Sequence, residues 1–216
     1  AENVAENGGE NTQEKRYFAK VLWGGLLKSR KSAALPGAKI YPPTLTNSDL
    51  ANIKIAKEMG VTGVMQPFVR DHSDLECVKE ALREAGAEDI RLFAKIENMD
   101  GVRKLEKLLP AADEIVIARG DLGNAVHLWD LPGVQRQISE KCRAAGKPFM
   151  VVTQMLASME RSPVPTRAEV NDIFHAVMDG AASIMVTGET AVGDYPVEVI
   201  RYMVNTVRSA EKEENR

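Results

Sequence analysis

Two stretches, IRLFAKIEN at residues 90–98 and EIVIARGD at residues 114–121, share one design. Each contains a mainly apolar run followed by charged residues, a Lys and a Glu in the first and an Arg and an Asp in the second. Continuous apolar runs are typical of parallel strands that are covered on both faces. Charged side chains are almost never buried unless they are paired or bound to something. The pattern therefore predicts buried strands whose carboxyl ends carry functional groups.

The same alternation of strand and helix continues along most of the chain. Strands are predicted at 61–69, 90–97, 114–120, 148–156 and 183–190, and helices at 46–59, 73–85, 100–109, 131–145, 166–178 and 196–212. Strand ends recur at roughly the 30-residue length of a β-α-β unit. This spacing predicts an α/β fold of the TIM (β/α)8-barrel type, with only about five β-α units evident. Because a closed barrel needs eight units, we expect a homo-oligomer or completion by another segment.

The amino-terminal part of the chain has a different composition. Residues 1–16 are polar, poor in apolar side chains and punctuated by glycine, which predicts a tail or linker. Residues 17–27, YFAKVLWGGLL, resemble a strand, and the loop that follows is closed by Pro36 and Gly37. We therefore expect the barrel-type domain to occupy residues 37–216.

Composition argues against several classes of protein. The 216 residues are 44% hydrophobic and 27% charged, with a net charge of −3, and no basic block exceeds KSRK at 28–31. A nucleic-acid partner is therefore not expected. No apolar run approaches the roughly 18 residues of a membrane span, and no signal peptide is evident. Cys77 and Cys142 form no metal-binding pattern, so we expect a cytoplasmic protein.

Polar residues stand at the end of every predicted strand, where barrel enzymes carry their catalytic groups. They are Arg70, then Lys95 and Glu97, then Arg119 and Asp121, then Thr153 and Gln154, and finally Thr187 and Glu189. One such set could be a structural ion pair that only ties strands together. Because the pattern recurs on all five strands, we favour a functional site.

Two carboxylates on adjacent predicted strands, Glu97 and Asp121, indicate a hard cation with oxygen ligands, either Mg²⁺ or Mn²⁺. Lys95 and Arg119 suit a phosphate or carboxylate group on the ligand. Gly120 permits a close approach of backbone N–H groups to an anion. The residues alone therefore predict a metal-dependent site for an anionic substrate.

Seven motifs stand out in the sequence: GGLLKSRKSAALPG, QPFVR, AKIENMDGV, IVIARGDLG, AGKPFMVVTQMLASM, SPVPTRAEVNDI and MDGAASIMVTGETAVGDYP. Together they resemble the pyruvate kinase family, and they occur in that family's order and spacing. The resemblance runs from about Gly24 to about Ala210. The resemblance implies the central barrel domain of that family, in part, and it implies that residues 17–36 are the remnant of a lid-domain exit.

The resemblance also implies phosphoryl transfer between phosphoenolpyruvate and a nucleoside diphosphate, which yields pyruvate and converts ADP to ATP. Glu97 and Asp121 would hold the divalent metal, and Lys95 would stabilise the phosphoryl group in transfer. The backbone of Arg119, Gly120 and Asp121 would cradle the substrate carboxylate. Such chemistry relies on positioning and positive charge rather than on covalent steps.

Four further residues receive roles only from the resemblance. Thr153 would lie near the methylene carbon that takes a proton as enolpyruvate becomes pyruvate. Glu189, with Thr187, would support the substrate from behind, and Lys31 would lie near the nucleotide phosphates. A K⁺ ion is also implied.

The sequence also departs from the family pattern. The departures concern the binding of nucleotide and K⁺ more than the binding of the divalent metal and the enolate. Pro67 stands where the family has a serine near the K⁺ site, and residues 124–128, NAVHL, replace an acidic run. No segment of this sequence resembles the three earlier barrel strands. Two alternatives therefore stay open: a metal-dependent lyase or decarboxylase of pyruvate or oxaloacetate, and a non-catalytic degenerate paralogue.

Overall fold

The computed structural model describes residues 20–26, 29 and 42–214, and the chain divides into two units, Ala1–Ala33 and Ala34–Arg216. Residues 20–26 of the first unit contain no strand, so the prediction of a strand there is wrong over these residues. The predicted tail at 1–16 lies outside the described residues. The helices and strands reported below all belong to the second unit.

A single parallel sheet forms the centre of the second unit. Its strands are β1 (Gly63–Gln66), β2 (Arg91–Ile96), β3 (Glu114–Ala118), β4 (Phe149–Val152) and β5 (Ser183–Met185). They lie side by side in chain order, and every neighbouring pair is parallel. The predicted five-stranded parallel α/β arrangement is therefore confirmed. Because the strands run in the same direction, their carboxyl ends lie along one edge, which we call the strand-end edge.

Helices connect the strands as the β-α spacing predicts. They are α1 (Asn47–Ala56), α2 (His72–Glu84), α3 (Met99–Arg103), α4 (Leu105–Leu108), α5 (Arg119–Ala125), α6 (Leu131–Ala144), α7 (Arg167–Met178), α8 (Gly188–Ala191) and α9 (Pro196–Glu214), with 3-10 turns at Leu109–Ala111 and Ala157–Glu160. A capping box begins α7: the Thr166 hydroxyl accepts from the Glu169 N–H, and the Glu169 carboxylate accepts from the Thr166 N–H. Among the described residues, no helix is both long and apolar enough to span a membrane.

All five strands end earlier than their predicted runs. The run predicted at 61–69 ends at Gln66, and the run predicted at 90–97 ends at Ile96. The run predicted at 114–120 leaves the sheet after Ala118, and Arg119 already begins α5. The run predicted at 148–156 ends at Val152, because Thr153 and Gln154 have positive φ angles of 75° and 52°. The run predicted at 183–190 ends at Met185, and α8 follows. The polar residues therefore lie in the turns just beyond the strands. The helix predicted at 100–109 is also divided, because the backbone at Lys104 (ψ 10°) departs from helical geometry.

The two faces of the sheet are covered unequally. On one face, alternate residues such as Leu92, Ala94 and Ile96 belong to a large buried cluster with the helices. On the other face, a smaller cluster contains Val116, Ala118 and Val152, with the partly buried Phe93, Met150 and Met185 against it. The expectation that both faces are fully covered is therefore confirmed for β3, whose residues are all buried, but not for β2.

An ion pair between Arg70 and Asp74 stabilises the turn after β1. Burial, the largest single influence, raises the pKa of Asp74, but hydrogen bonds from the Arg70 side chain, the Thr44 hydroxyl and the Arg70 N–H outweigh it. Together with the charge of Arg70 they lower the pKa of Asp74 from its usual 3.8 to about 2. Only 5% of the Asp74 side chain is exposed. The ionised form of Asp74 therefore favours the folded state.

We expect Asp74→Asn to lower the free energy of unfolding at pH 7 by about 2 kcal/mol, from the shift between 3.8 and about 2. Since the pKa of the folded state is the lower one, this contribution is present above pH 4 and is lost as the pH falls towards 2. Urea unfolding from pH 7 to pH 2.5 measures it, with Asp100→Asn, at a half-exposed carboxylate, as control. A difference between wild type and Asp74→Asn that stays constant with pH would contradict the assignment.

Candidate functional site

Lys95 and Glu97 form an ion pair where β2 ends. The Lys95 Nζ lies 2.8 Å from Glu97 Oε1, and the Glu97 side chain is only 1% exposed whereas that of Lys95 is 25% exposed. Glu97 Oε2 accepts a hydrogen bond of 2.7 Å from the Phe68 N–H, at a residue with a φ of 51°. By strand alternation Lys95 lies on the face of Phe93, away from the helix-covered core. Glu97 thus fastens the β1 turn to β2 and holds the ammonium group of Lys95 in place.

The predicted metal ligands, Glu97 and Asp121, differ in their surroundings. Asp121 is exposed, lies in the first turn of α5, and makes no hydrogen bond or ion pair within the part of the chain that the structure describes. Each oxygen of Glu97 retains a lone pair after its contacts with Lys95 and Phe68, because a carboxylate offers about four acceptor sites. No group of three or more His, Cys, Asp and Glu side chains in residues 42–214 is arranged for a metal. Two carboxylates nevertheless fit Mg²⁺, which usually retains waters and takes its other ligands from the substrate.

The guanidinium of Arg119 is held from several sides. Its Nη1 lies 2.6 and 2.8 Å from the two carboxylate oxygens of Asp172 in α7. Its Nη2 donates to the carbonyl oxygen of Thr153 at 2.7 Å and lies 2.9 Å from the Met155 sulfur, and only 12% of the Arg119 side chain is exposed. An anion-binding role of this side chain remains a prediction, because its donors are already engaged within the fold.

Thr153 adopts a backbone conformation that is rare for its residue type. A positive φ in an L-residue costs about 1 to 2 kcal/mol, and a β-branched residue is a clear outlier there. The Thr153 hydroxyl accepts from the Gly120 N–H at 2.8 Å and donates to the Val152 carbonyl at 2.5 Å. The Gly120 N–H, expected to face a substrate carboxylate, is therefore engaged by Thr153 here. That role stays a prediction and requires the hydroxyl to release the N–H.

Glu189 links the turns that follow β4 and β5. Its Oε1 accepts from the Leu156 N–H at 3.2 Å, its Oε2 accepts from the Thr187 N–H at 2.7 Å, and its side chain is fully buried. The buried Glu189 carboxylate thus joins two turns of the strand-end edge from the protein interior. Direct substrate contact by Glu189 stays a prediction.

Similarity to known proteins identifies the family of this chain. The family model described as "Pyruvate kinase, barrel domain" matches residues 7–200. The chain belongs to the pyruvate kinase family.

Individual pyruvate kinases are similar to this chain over most of its length. Those of Bacillus licheniformis, Geobacillus stearothermophilus and Dictyostelium discoideum are 40%, 42% and 42% identical to it, over 94%, 85% and 86% of the chain. These matches cover 34%, 31% and 36% of the relatives. The chain therefore spans about a third of the length of the curated relatives it matches. Kinase names among these relatives favour the kinase hypothesis over the lyase alternative.

The structure joins some of the family-motif residues and not others. It connects Lys95 to Glu97, and Gly120 and Arg119 to Thr153. Within residues 42–214, no hydrogen bond or ion pair joins Glu97 to Asp121, and Lys31 lies outside the described residues. Analysis of the sequence missed Asp172, which is 53 residues from its partner Arg119. A single Asp inside an amphipathic helix carries no sequence signal that would have singled it out.

Proposed function

We propose that this chain carries the phosphoenolpyruvate side of a pyruvate kinase site on part of a (β/α)8 barrel. The site transfers a phosphoryl group from phosphoenolpyruvate to a nucleoside diphosphate: the bond between the enol oxygen and phosphorus breaks, the nucleotide oxygen bonds to phosphorus, and the enolate takes a proton at carbon. A cytoplasmic location and a place in glycolysis belong to the same proposal.

The observation that carries the proposal is the ion pair at the end of β2. Lys95 presents a partly exposed ammonium group that a buried Glu97 orients on the sheet face opposite the large buried core. A preorganised cation of this kind stabilises negative charge that develops on an enolate or on a phosphoryl group in transfer. Thr153 supplies a hydroxyl at the end of β4, two strands along the same edge. This hydroxyl serves proton transfer at the enolpyruvate carbon.

A divalent cation, Mg²⁺ or Mn²⁺, belongs to the proposal, with Glu97 and Asp121 as its protein ligands. When bound, it would polarise the substrate oxygens and neutralise phosphate charge. The binding of nucleotide and K⁺ is proposed from the family resemblance alone. Pro67, which stands in place of the family's serine near the K⁺ site, argues against K⁺. The described residues contribute no assigned group to either.

We expect Mn²⁺ to bind the chain, and Asp121→Asn to abolish that binding because a two-carboxylate site loses half of its charged ligands. Isothermal titration with MnCl₂ measures the effect. The matched control is Asp130→Asn, which alters another exposed Asp close to α5 and should leave the titration unchanged. An Asp121→Asn titration equal to that of the wild type would eliminate the site.

The experiment that tests the function separates its two halves. The residues assigned here act on enolpyruvate, so the 216-residue chain with Mg²⁺ should exchange the methyl protons of pyruvate for deuterium. In that reaction a methyl C–H bond breaks, its proton passes to the solvent, its electron pair forms the enolate, and a deuteron from the solvent bonds to the carbon. Proton NMR of pyruvate in D₂O records it. The same chain should show little or no phosphorylation of ADP by phosphoenolpyruvate. Rapid phosphorylation of ADP by this chain would contradict the separation of enolpyruvate chemistry from nucleotide chemistry. If a folded, metal-loaded chain exchanged no protons of pyruvate, the hypothesis of a degenerate paralogue would be favoured.

An assembly partner is also part of the proposal. Within residues 42–214, β1 and β5 each pair on one side only, and unpaired strand edges promote association. We expect the isolated chain to self-associate or to require another segment for solubility. Sedimentation velocity tests this expectation. A monodisperse monomer with a single cooperative melting transition would refute it.

A further inference from the structure

Asp172 lies in α7, outside the strand-end turns, yet it contacts the side chain of Arg119, which follows β3 at the strand-end edge. It holds Arg119 through two short contacts with one guanidinium nitrogen. We propose that Asp172 is a positioning residue that acts through Arg119 on Thr153. The inference rests on the proposed function, in which the Thr153 hydroxyl serves the enolpyruvate carbon.

The first step concerns how the N–H donors of the Arg119 guanidinium are shared between Asp172 and Thr153. Nη1 faces the Asp172 carboxylate, which leaves Nε and Nη2 to donate to the Thr153 carbonyl at 3.3 and 2.7 Å. A planar guanidinium transmits orientation, because fixing one nitrogen fixes the direction of the others. Removal of the carboxylate leaves a long side chain with several rotatable bonds, held by neutral acceptors alone. The direction of the Nη2 hydrogen bond then loses its charged anchor.

The second step is the effect on Thr153. Its carbonyl is bound by Arg119 and its hydroxyl by the Gly120 N–H, so the first two residues of α5 hold both of these groups. Thr153 and Gln154 both have positive φ angles, which persist only where the surroundings enforce them. If Arg119 is released, the peptide after Thr153 can relax, and the hydroxyl moves with it. Asp172 therefore controls the position of a hydroxyl that it does not touch.

A purely structural role for the pair predicts something different. If Asp172 only held α7 against the sheet, its loss would weaken the whole unit without a specific effect at Thr153. Asp172→Ala is a suitable variant, because alanine favours the helix interior and does not itself disturb α7. Asp172→Glu keeps the carboxylate and serves as the rescue. Glu140→Gln, which removes the exposed partner of Arg136 on α6, is the control.

The first measurement is amide hydrogen exchange in the full 216-residue chain. In Asp172→Ala, we expect protection of the Gly120 N–H to fall at least about 10-fold, while the Asp113 N–H, bound to the Leu92 carbonyl, is unchanged. Asp172→Glu should restore most of the protection, and Glu140→Gln should not alter it. Unchanged Gly120 protection, or an equal fall at both amides, overturns the proposal.

The second measurement is the kinetics of pyruvate proton exchange. We expect Asp172→Ala to lower kcat about 10-fold with KM for pyruvate within about 2-fold, because misplacement of a reacting group affects the chemical step. In a Thr153→Val background, Asp172→Ala should reduce kcat by less than about 2-fold, since the two residues act in series. Independent, multiplicative losses overturn the proposal. If the wild type shows no exchange, the proposed function fails, and the Gly120 amide alone decides the role of Asp172.

Discussion

Lys95→Met is expected to slow the metal-dependent proton exchange of pyruvate by about 100-fold or more, the usual effect of removing one electrostatic donor from a developing oxyanion. The Lys95 ammonium is the partly exposed cation of the β2 end, and the buried Glu97 keeps it there. Methionine has a similar length and shape but no charge. The loss should therefore appear in kcat rather than in KM. Proton NMR in D₂O, at saturating pyruvate and Mg²⁺, measures it.

Loss of the ion pair also leaves Glu97 buried with only the Phe68 N–H as partner, so part of any effect arises from stability. Urea unfolding of the same variant corrects the rate to the folded fraction. Lys95→Arg, which retains positive charge, should keep more of the exchange than Lys95→Met. Lys104→Met removes an exposed lysine paired with Asp71 and should have no effect. Wild-type exchange by folded Lys95→Met would exclude Lys95 from the site.

Glu189→Ala is expected to lower the free energy of unfolding by about 2 to 4 kcal/mol, the combined cost of unsatisfied N–H groups and a cavity. The Glu189 carboxyl accepts from the N–H groups of Leu156 and Thr187, and Leu156 is itself fully buried. Truncation leaves both donors without their acceptor and joins the two turns less firmly. Urea denaturation at neutral pH, followed by circular dichroism, measures the change.

The control for this variant is Glu140→Ala, which removes an exposed carboxylate on α6 and should change stability by less than about 0.5 kcal/mol. Glu189→Gln should lie between wild type and Glu189→Ala, since the amide offers one acceptor oxygen where the carboxylate offers two. A Glu189→Ala midpoint equal to that of the wild type would refute the supporting role assigned to Glu189.

Sequence patterns predicted the order of the fold well and its strand ends poorly. Apolar runs and β-α spacing are local signals, so they located all five strands in the correct succession. They could not indicate where each run stops, because Arg119 to Asp121 are as compatible with a continuing strand as with the first turn of a helix. At Thr153 the local preference even opposed the outcome. A β-branched residue favours extended backbone, and tertiary contacts, among them those with Arg119 and Gly120, support its positive φ.

The chain alone thus specified a parallel α/β succession with polar residues after every strand, because these features depend on residues close together in sequence. Tertiary structure decided which of those residues are joined. Lys95 and Glu97, two positions apart, could be expected to meet. The pairing of Arg119 with Asp172 and that of Glu189 with the Leu156 N–H could not. Partners separated by 53 and 33 residues are chosen by how helices and turns pack, and that packing depends on the whole fold at once.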